Sequence, residues 1–406
     1  MGRRLRSIVV SLQLVGLLAW PAGAAGNALD PTFSGDGRAL IHVEKAVGAY
    51  DAAAAPHHKI VVLADSYKKV FVVRYLADGR LDGAFGTNGS RALDLLHIGS
   101  ELTGKTVAVG PHGAIVVMAS TASGTSPHSV VARLLPNGKL DPRFGGDGTV
   151  HVDGLLTSIA VQTDGAVVGA ESQGVIRLSS DGSKDPSFGT GGLASTDFHA
   201  DWVTLIPNGD LVVSGTHGSN CGEGGCDITV MVERMLSNGS PDPTFGTNGE
   251  AEPPISDGNC CDTSVVAAPD GKTVVAANSG GAAIARLNPD GTTDHSFSGD
   301  GVFVSQKFAY SEDPFDMRHV AVLQDGGVAS AVPTTPRGTP FAFRLLRLTA
   351  AGNLDETFGN DGVMTTTFGG GPAISFAVIA LPNGKVVAVG QPKGGGALAV
   401  ARFLSR

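Results

Sequence analysis

The chain has 406 residues with a formal charge of -9, is 42% hydrophobic, and contains 58 glycines and only 4 cysteines. Its 29 Lys and Arg are spread along the chain and do not form the clustered positive surface that phosphate tracking requires, so nucleic acid is excluded as a partner. The composition fits a folded all-β globule, either as several domains or as one large repeat domain.

Residues 1–25 read as a secretory signal peptide. Arg3, Arg4 and Arg6 precede an apolar run over residues 8–20, and Pro21-Ala22-Gly23-Ala24-Ala25 offers small-residue cleavage positions near Ala24 or Ala25. The apolar run is short for a membrane span, and no Cys stands at the cleavage region to take a lipid. The Arg3-Arg4 doublet by itself does not make a twin-arginine signal, so ordinary export is expected. No later apolar stretch reaches spanning length. The mature chain is therefore expected to be secreted or periplasmic, without a transmembrane segment.

From there one phrase recurs: an Arg, an apolar pair, a turn, then Asp, two spacers and Phe. Its Asp end comes first, as Leu29-Asp30-Pro31-Thr32-Phe33. Complete copies follow at Arg74, Asp82 and Phe85; Arg133, Asp141 and Phe144; and Arg177, Asp185 and Phe188. Three more are Arg234, Asp242 and Phe245; Arg286, Asp294 and Phe297; and Arg347, Asp355 and Phe358. The missing Arg end, Arg402, closes the chain. A period of about 45 to 60 residues signals a repeat architecture, and a repeat split between the chain ends signals a closed ring.

Each unit reads as four short strands, A to D. In the third, residues 157–162 lead through Asp164-Gly165 into residues 166–170, then Gly174 to Leu178, then a turn into residues 192–194. The A-to-B turn recurs as His112-Gly113, Asn208-Gly209, Asp270-Gly271, Asp325-Gly326 and Asn383-Gly384, with His57-His58 departing from the pattern. A second turn recurs after the Arg strand at Asp78-Gly79, Asn137-Gly138, Asp181-Gly182, Asn238-Gly239 and Asp290-Gly291. Such dipeptides predict type I′ hairpins, whose central residues need positive φ. Seven such units predict an all-β, seven-bladed β-propeller spanning residues 26–406 as one domain. Residues 38–43 are expected to supply strand D to a last blade whose other strands come from residues 376–404.

The repeated residues are expected to be architecture. Asp at the start of a tight turn accepts backbone N–H groups, Pro fixes φ, and a Phe buried between blades contributes about 2 to 3 kcal/mol. The functional rival is a ring of seven Asp or Arg lining a channel. Turn chemistry already accounts for the Asp, and Arg near a carboxylate pairs with it. The strings Ser34-Gly35-Asp36-Gly37 and Gly359-Asn360-Asp361-Gly362 suggest calcium loops but lack the alternating oxygens and terminal bidentate carboxylate. They read as hairpin turns, and no metal or cofactor is expected.

Taken together, Leu-Asp-Pro-Thr-Phe-Ser-Gly-Asp-Gly at residues 29–37 and Pro-Asn-Gly-Lys-Val-Val-Ala-Val-Gly at residues 382–390 resemble the bacterial delta-60 repeat proteins. The resemblance covers the mature chain. It implies an exported or surface bacterial protein and brings no catalytic motif.

Cys221, Cys226, Cys260 and Cys261 are even in number in an exported chain, which favours disulfides over a zinc site. The first two are expected in a B-to-C loop and the others in the following D-to-A loop. Both loop types emerge on one face, so bridges between the two loops are expected rather than a Cys260–Cys261 bond.

B-to-C and D-to-A loops vary in length and content, the mark of a binding face. Tyr67, His199, Asp201, Trp202, His217, Tyr310, Glu312 and Asp313 are its candidate residues, because aromatics beside carboxylates suit a sugar or peptide. No nucleophile elbow, His-Glu-x-x-His or phosphate-cradling loop is present. His199, Asp201, Glu312 and Asp313 are the residues that an acid and base pair would draw on. The sequence thus points to a monomeric binding or scaffolding module for an envelope protein or glycan. A hydrolase or lyase acting on extracellular polysaccharide at the same face is the alternative.

Overall fold

The computed structural model describes residues 28–43, 48–66, 69–95, 104–121, 128–222, 225–255, 263–278, 282–305, 320–332 and 342–404. Tyr67, Cys260, Cys261, Tyr310, Glu312, Asp313 and the leader lie outside them.

The described strands form seven four-stranded antiparallel sheets. Blade 1 is β2 (Gly48–Ala55), β3 (Lys59–Ser66), β4 (Lys69–Tyr75) and β5 (Ser90–Leu93). Blade 2 is β6 (Gly104–Val109), β7 (Ile115–Thr121), β8 (His128–Leu134) and β9 (Thr149–Asp153). Blade 3 is β10 (Leu156–Val161), β11 (Val167–Glu171), β12 (Gly174–Leu178) and β13 (Leu193–Ser195). Blade 4 is β14 (His199–Leu205), β15 (Leu211–Gly222), β16 (Gly225–Met235) and β17 (Glu250–Ala251). Blade 5 is β18 (Thr263–Ala267), β19 (Thr273–Asn278), β20 (Ala282–Leu287) and β21 (Val302–Ser305). Blade 6 is β22 (Val320–Val322), β23 (Val328–Ala331), β24 (Phe343–Leu348) and β25 (Val363–Thr366). Blade 7 is β26 (Ala373–Ala380), β27 (Val386–Pro392) and β28 (Leu398–Phe403), completed by β1 (Arg38–Ile41) from the other end of the chain.

The first strand of every blade touches the first strands of its two neighbours, so these strands line the centre of a closed ring. The chain is a seven-bladed β-propeller.

The apolar runs follow from this packing. A middle strand is covered on both faces by neighbouring blades, so both sets of alternating side chains must be apolar. In β3, Ile60, Val62 and Ala64 join the cluster shared with blade 7, while Val61 and Leu63 join the one shared with blade 2. Seven such clusters fill the seven interfaces between blades.

Closure depends on β1. Arg38 to Ile41 pair with Ala401 to Leu398, and the ladder continues with Asp30 N donating to Arg402 O at 2.9 Å and Leu404 N to Ala28 O at 2.8 Å.

The turns correct one expectation. Gly165 has φ 87° while Asp164 stays at negative φ, with Gln162 N bonded to Ala166 O at 2.8 Å and Gly165 N to Gln162 O at 2.9 Å. This is a three-residue loop, a type I turn followed by a left-handed Gly, not a type I′ hairpin. The Asp164 carboxylate favours it by accepting Ala166 N at 2.9 Å. Consecutive positive φ occurs instead where His stands, at His57 (63°) and His58 (57°), and at His112 (57°) and Gly113 (76°).

Candidate functional site

The recurring Arg sits at the joint between successive blades. Its Nε donates to the Asp eight residues on in Arg74, Arg133, Arg177, Arg234 and Arg286, and to Asp30 from the other end of the chain in Arg402, at 2.6 to 3.0 Å, while Arg347 Nε forms an ion pair with Asp355 at 3.0 Å. Its Nη1 donates to a turn carbonyl of the next blade, linking Arg74 to Pro136, Arg133 to Ser180, Arg177 to Ser237, Arg234 to Pro289, Arg286 to Ala350 and Arg402 to Ala77. The guanidinium lies over the Phe of its own phrase, 4.6 to 4.8 Å from the centroid in six copies and 5.8 Å for Arg347 over Phe358. The residue after that Phe donates its N–H to the same neighbouring turn, as Gly86 does to Asn137 O at 2.9 Å. A delocalised cation that stacks on a ring and donates from a fork suits this three-way contact.

Six of the seven joint aspartates have lowered pKa values. Burial works against the charge of Asp30, but hydrogen bonds from Lys385 and Thr32 and the field of Arg402 bring its pKa down to about 2. Asp82, Asp141, Asp185, Asp242 and Asp294 are lowered as well. Each carboxylate is held by the Arg of its own joint. A cavity of about 780 Å³ at the joint of blades 6 and 7 is lined by Arg347, Asp355 and Phe358 with Ala28 and Leu404, where the chain ends meet.

The opposite face carries the B-to-C hairpins and D-to-A links. There the structure revises the sequence reading, because His199, Asp201 and Trp202 lie on the innermost strand β14 rather than on a loop. His199 Nδ1 is 3.1 Å from Asp201 Oδ1, with the imidazole side chain 52% exposed and the carboxylate 6%. Asp201 Oδ2 accepts Thr263 N at 3.2 Å and Thr263 Oγ1 at 3.1 Å, tying blade 4 to blade 5. Asp51 makes the same kind of tie from blade 1 to blade 2, accepting Thr106 Oγ1 at 2.8 Å and Val107 N at 2.7 Å. Trp202 is half-buried against the apolar cluster between blades 4 and 5. It is packing first, and no open platform.

His217 is exposed on β15, which with β16 forms a hairpin of 12 and 11 residues, against five to eight in the corresponding strands of blades 1 to 3. Cys221 and Cys226 fall on these extended strands rather than in a loop.

Four inner strands carry a β-bulge near the end that the D-to-A links feed, at Tyr50, Thr157, Asp201 and Phe376. Tyr50 and Phe376, from blades 1 and 7, stack with centroids 5.8 Å apart and planes 17° apart. Both are half-buried. Sequence reasoning missed this pair, because its members are 326 positions apart and meet only through ring closure. It also missed Glu233, which is 2% exposed and stands directly across the ladder from Glu250. Among the described residues no cluster of His, Cys, Asp and Glu is arranged to hold a metal ion.

Residues 111–144, 146–188 and 268–297 match a family described as a domain of unknown function (DUF5122), beta-propeller. All three matched segments end on the joint Phe, and two of them, 111–144 and 268–297, begin at an A-to-B turn. No curated protein matches the sequence. Among solved structures, the chain is similar to catalytically inactive virginiamycin B lyase from Staphylococcus aureus with quinupristin, at 10% identity and TM-score 0.54, over 90% of this chain and 99% of that one. It is also similar to a streptogramin B lyase, at 11% identity and TM-score 0.52, over 90% of this chain and 98% of that one. At such identities the likeness is one of fold.

Proposed function

We propose that the protein is an exported binding module that recognises a glycan or protein partner of the bacterial envelope through the face of its B-to-C hairpins and D-to-A links. The observation that carries this reading is the Tyr50–Phe376 stack on the inner strands of that face. Half-exposed aromatic rings beside hydrogen-bonding groups suit sugar rings or apolar peptide side chains. The delta-60 resemblance and the leader at residues 1–25 supply the export, and the disulfides expected of the four Cys would brace the extended hairpin of blade 4. The test is a thermal-shift screen against cell-wall fragments and envelope glycans, since a ligand of the native state raises its midpoint. A shift lost in Tyr50→Ala and Phe376→Ala supports the reading. A shift that both variants retain rejects the stack as the site.

A second reading, a polysaccharide hydrolase or lyase, is favoured by one arrangement: a buried carboxylate, Asp201, orienting the half-exposed imidazole of His199. That is how a general base is held. Turnover of an envelope polysaccharide that is abolished in His199→Ala would establish it.

A further inference from the structure

Blade 4 departs from the repeat at a position the joint does not use. The residue before the joint Arg is Val73, Ala132, Ile176, Ala285, Leu346 or Ala401 in the other six blades, and Glu233 in blade 4. Along β16, Met231 and Met235 share its side and pack into the cluster between blades 3 and 4, so Glu233 faces that interface. Its Oε2 is buried and makes no hydrogen bond. Across the ladder the partner is another acid, Glu250, where the other blades place Ser90, Thr149, Leu193, Val302, Val363 or Arg38. Asp197, in the link from β13 to β14, adds a third carboxylate to this field.

Two carboxylates directly opposite on adjacent strands repel each other, and an ionised carboxylate with an unbonded oxygen in an apolar seam is strongly disfavoured. Burial first, then the charges of Glu250 and Asp197, push Glu233 up to about 8. Glu250 is raised too, by burial and by Asp197, with His217 acting in the opposite sense. Arg234 offers no relief, being committed to Asp242 on the other side of the strand.

We propose that Glu233 and Glu250 form a proton-controlled latch between blades 3 and 4. Near neutral pH the pair retains a proton and the seam stays closed. In mildly alkaline solution the proton leaves to solvent, the carboxylates repel, and the seam beside His199 and the long β15–β16 hairpin loosens. The latch holds whatever ligand the loop face takes.

The sign is fixed by linkage. The unfolded carboxyl ionises near pH 4.3 while the folded one keeps its proton to about pH 8, so folding binds a proton and stability falls as pH rises between those values. Thermal and denaturant unfolding of the parent chain, Glu233→Gln and Glu250→Gln would be followed from about pH 5 to about pH 9. Relative to Glu233→Gln, the parent's folding constant should drop by up to about tenfold per pH unit within that window. Glu250→Gln, which removes the nearest like charge, should move the upper edge of the window downward. Hydrogen exchange at β13 and β16, compared between parent and Glu233→Gln at one alkaline pH, should be faster in the parent. Parallel pH profiles for parent and Glu233→Gln would overturn the proposal. So would stabilisation of the parent, but not of Glu233→Gln, by millimolar calcium, because a cation rather than a proton would then neutralise the pair.

Discussion

On the turn face, Arg74, Arg133 and Arg286 each make the same contacts: an Asp in their own blade, a carbonyl in the next, and the face of a Phe. On the loop face, one bulge position is filled by Tyr50 in blade 1, Thr157 in blade 3, Asp201 in blade 4 and Phe376 in blade 7. The backbone of the bulge repeats and its side chain does not. A joint must fit its neighbour in every blade, so its chemistry is fixed by the ring. A position at the inner edge answers to the ring mainly through its backbone, and its side chain is free to vary. Asp201 sits between these cases, since it serves an inter-blade tie and orients His199 at once.

The sharpest way to break this comparison is to remove one joint and its strand together. Deleting residues 27–45 takes away β1, Asp30 and Phe33, and is expected to lower the melting midpoint by roughly 10 °C or more, or to prevent folding, because the seventh interface loses its ladder and part of its core. A midpoint nearly equal to the parent's would contradict closure by the chain ends.

The next largest effect is expected from a single joint. Arg402→Ala leaves Asp30, 1% exposed, with Lys385 as its one remaining cation and removes the contacts to Ala77 and Phe33, and should cost about 3 kcal/mol in denaturant unfolding. The same replacement at an exposed pair, Arg80→Ala beside Asp78, should leave the denaturant midpoint nearly unchanged.

Acid separates the two faces further. Six joint aspartates have lowered folded values, so the stability they supply is complete above the unfolded pKa near 4 and is lost as pH falls through the folded one, for Asp30 between about pH 4 and about pH 2. The loss expected at Glu233, which runs from about pH 4 up to about pH 8, has the opposite sign. A pH–stability profile that falls below about pH 4 and also declines from there to about pH 8, with only the upper limb removed in Glu233→Gln, would show the two carboxylate environments acting independently.

The blade count and the closure were legible in the sequence because both derive from repetition, whereas the bond from each Arg to the next blade's carbonyl and its stacking on Phe were not. The same contact has to be written seven times, and its split copy gives away the ring. Turn geometry was not legible from the Asp-Gly dipeptide alone. That dipeptide serves both hairpin types, and the carboxylate's bond to the N–H two residues on, seen at Asp164, selects the type I form. His199 and Trp202 read as loop residues in the sequence because the link from β13 to β14 is short and the strand begins earlier than the apolar pattern suggests. Glu233 could have been found by aligning the seven copies, where it is the single acid in an apolar column. Nothing in the linear sequence brings Tyr50 to Phe376.

The smallest effects should come from the turns and the inner edge. Gly165→Ala should cost only about 1 kcal/mol, because an added Cβ would meet Ser180 Cβ at an ordinary 3.5 Å and the cost is the positive φ alone. A much larger loss in denaturant unfolding would mean that the turn carries packing not seen here.

The central claim is that the turn face holds the ring together and the loop face meets the partner. The most direct measurement compares ligand-induced thermal shifts in Phe376→Ala and Lys385→Ala, the second lying on the turn face against Asp30. The account predicts that envelope glycans raise the midpoint of the parent and of Lys385→Ala but not that of Phe376→Ala. A shift abolished by Lys385→Ala and preserved in Phe376→Ala would place recognition on the opposite face and contradict it.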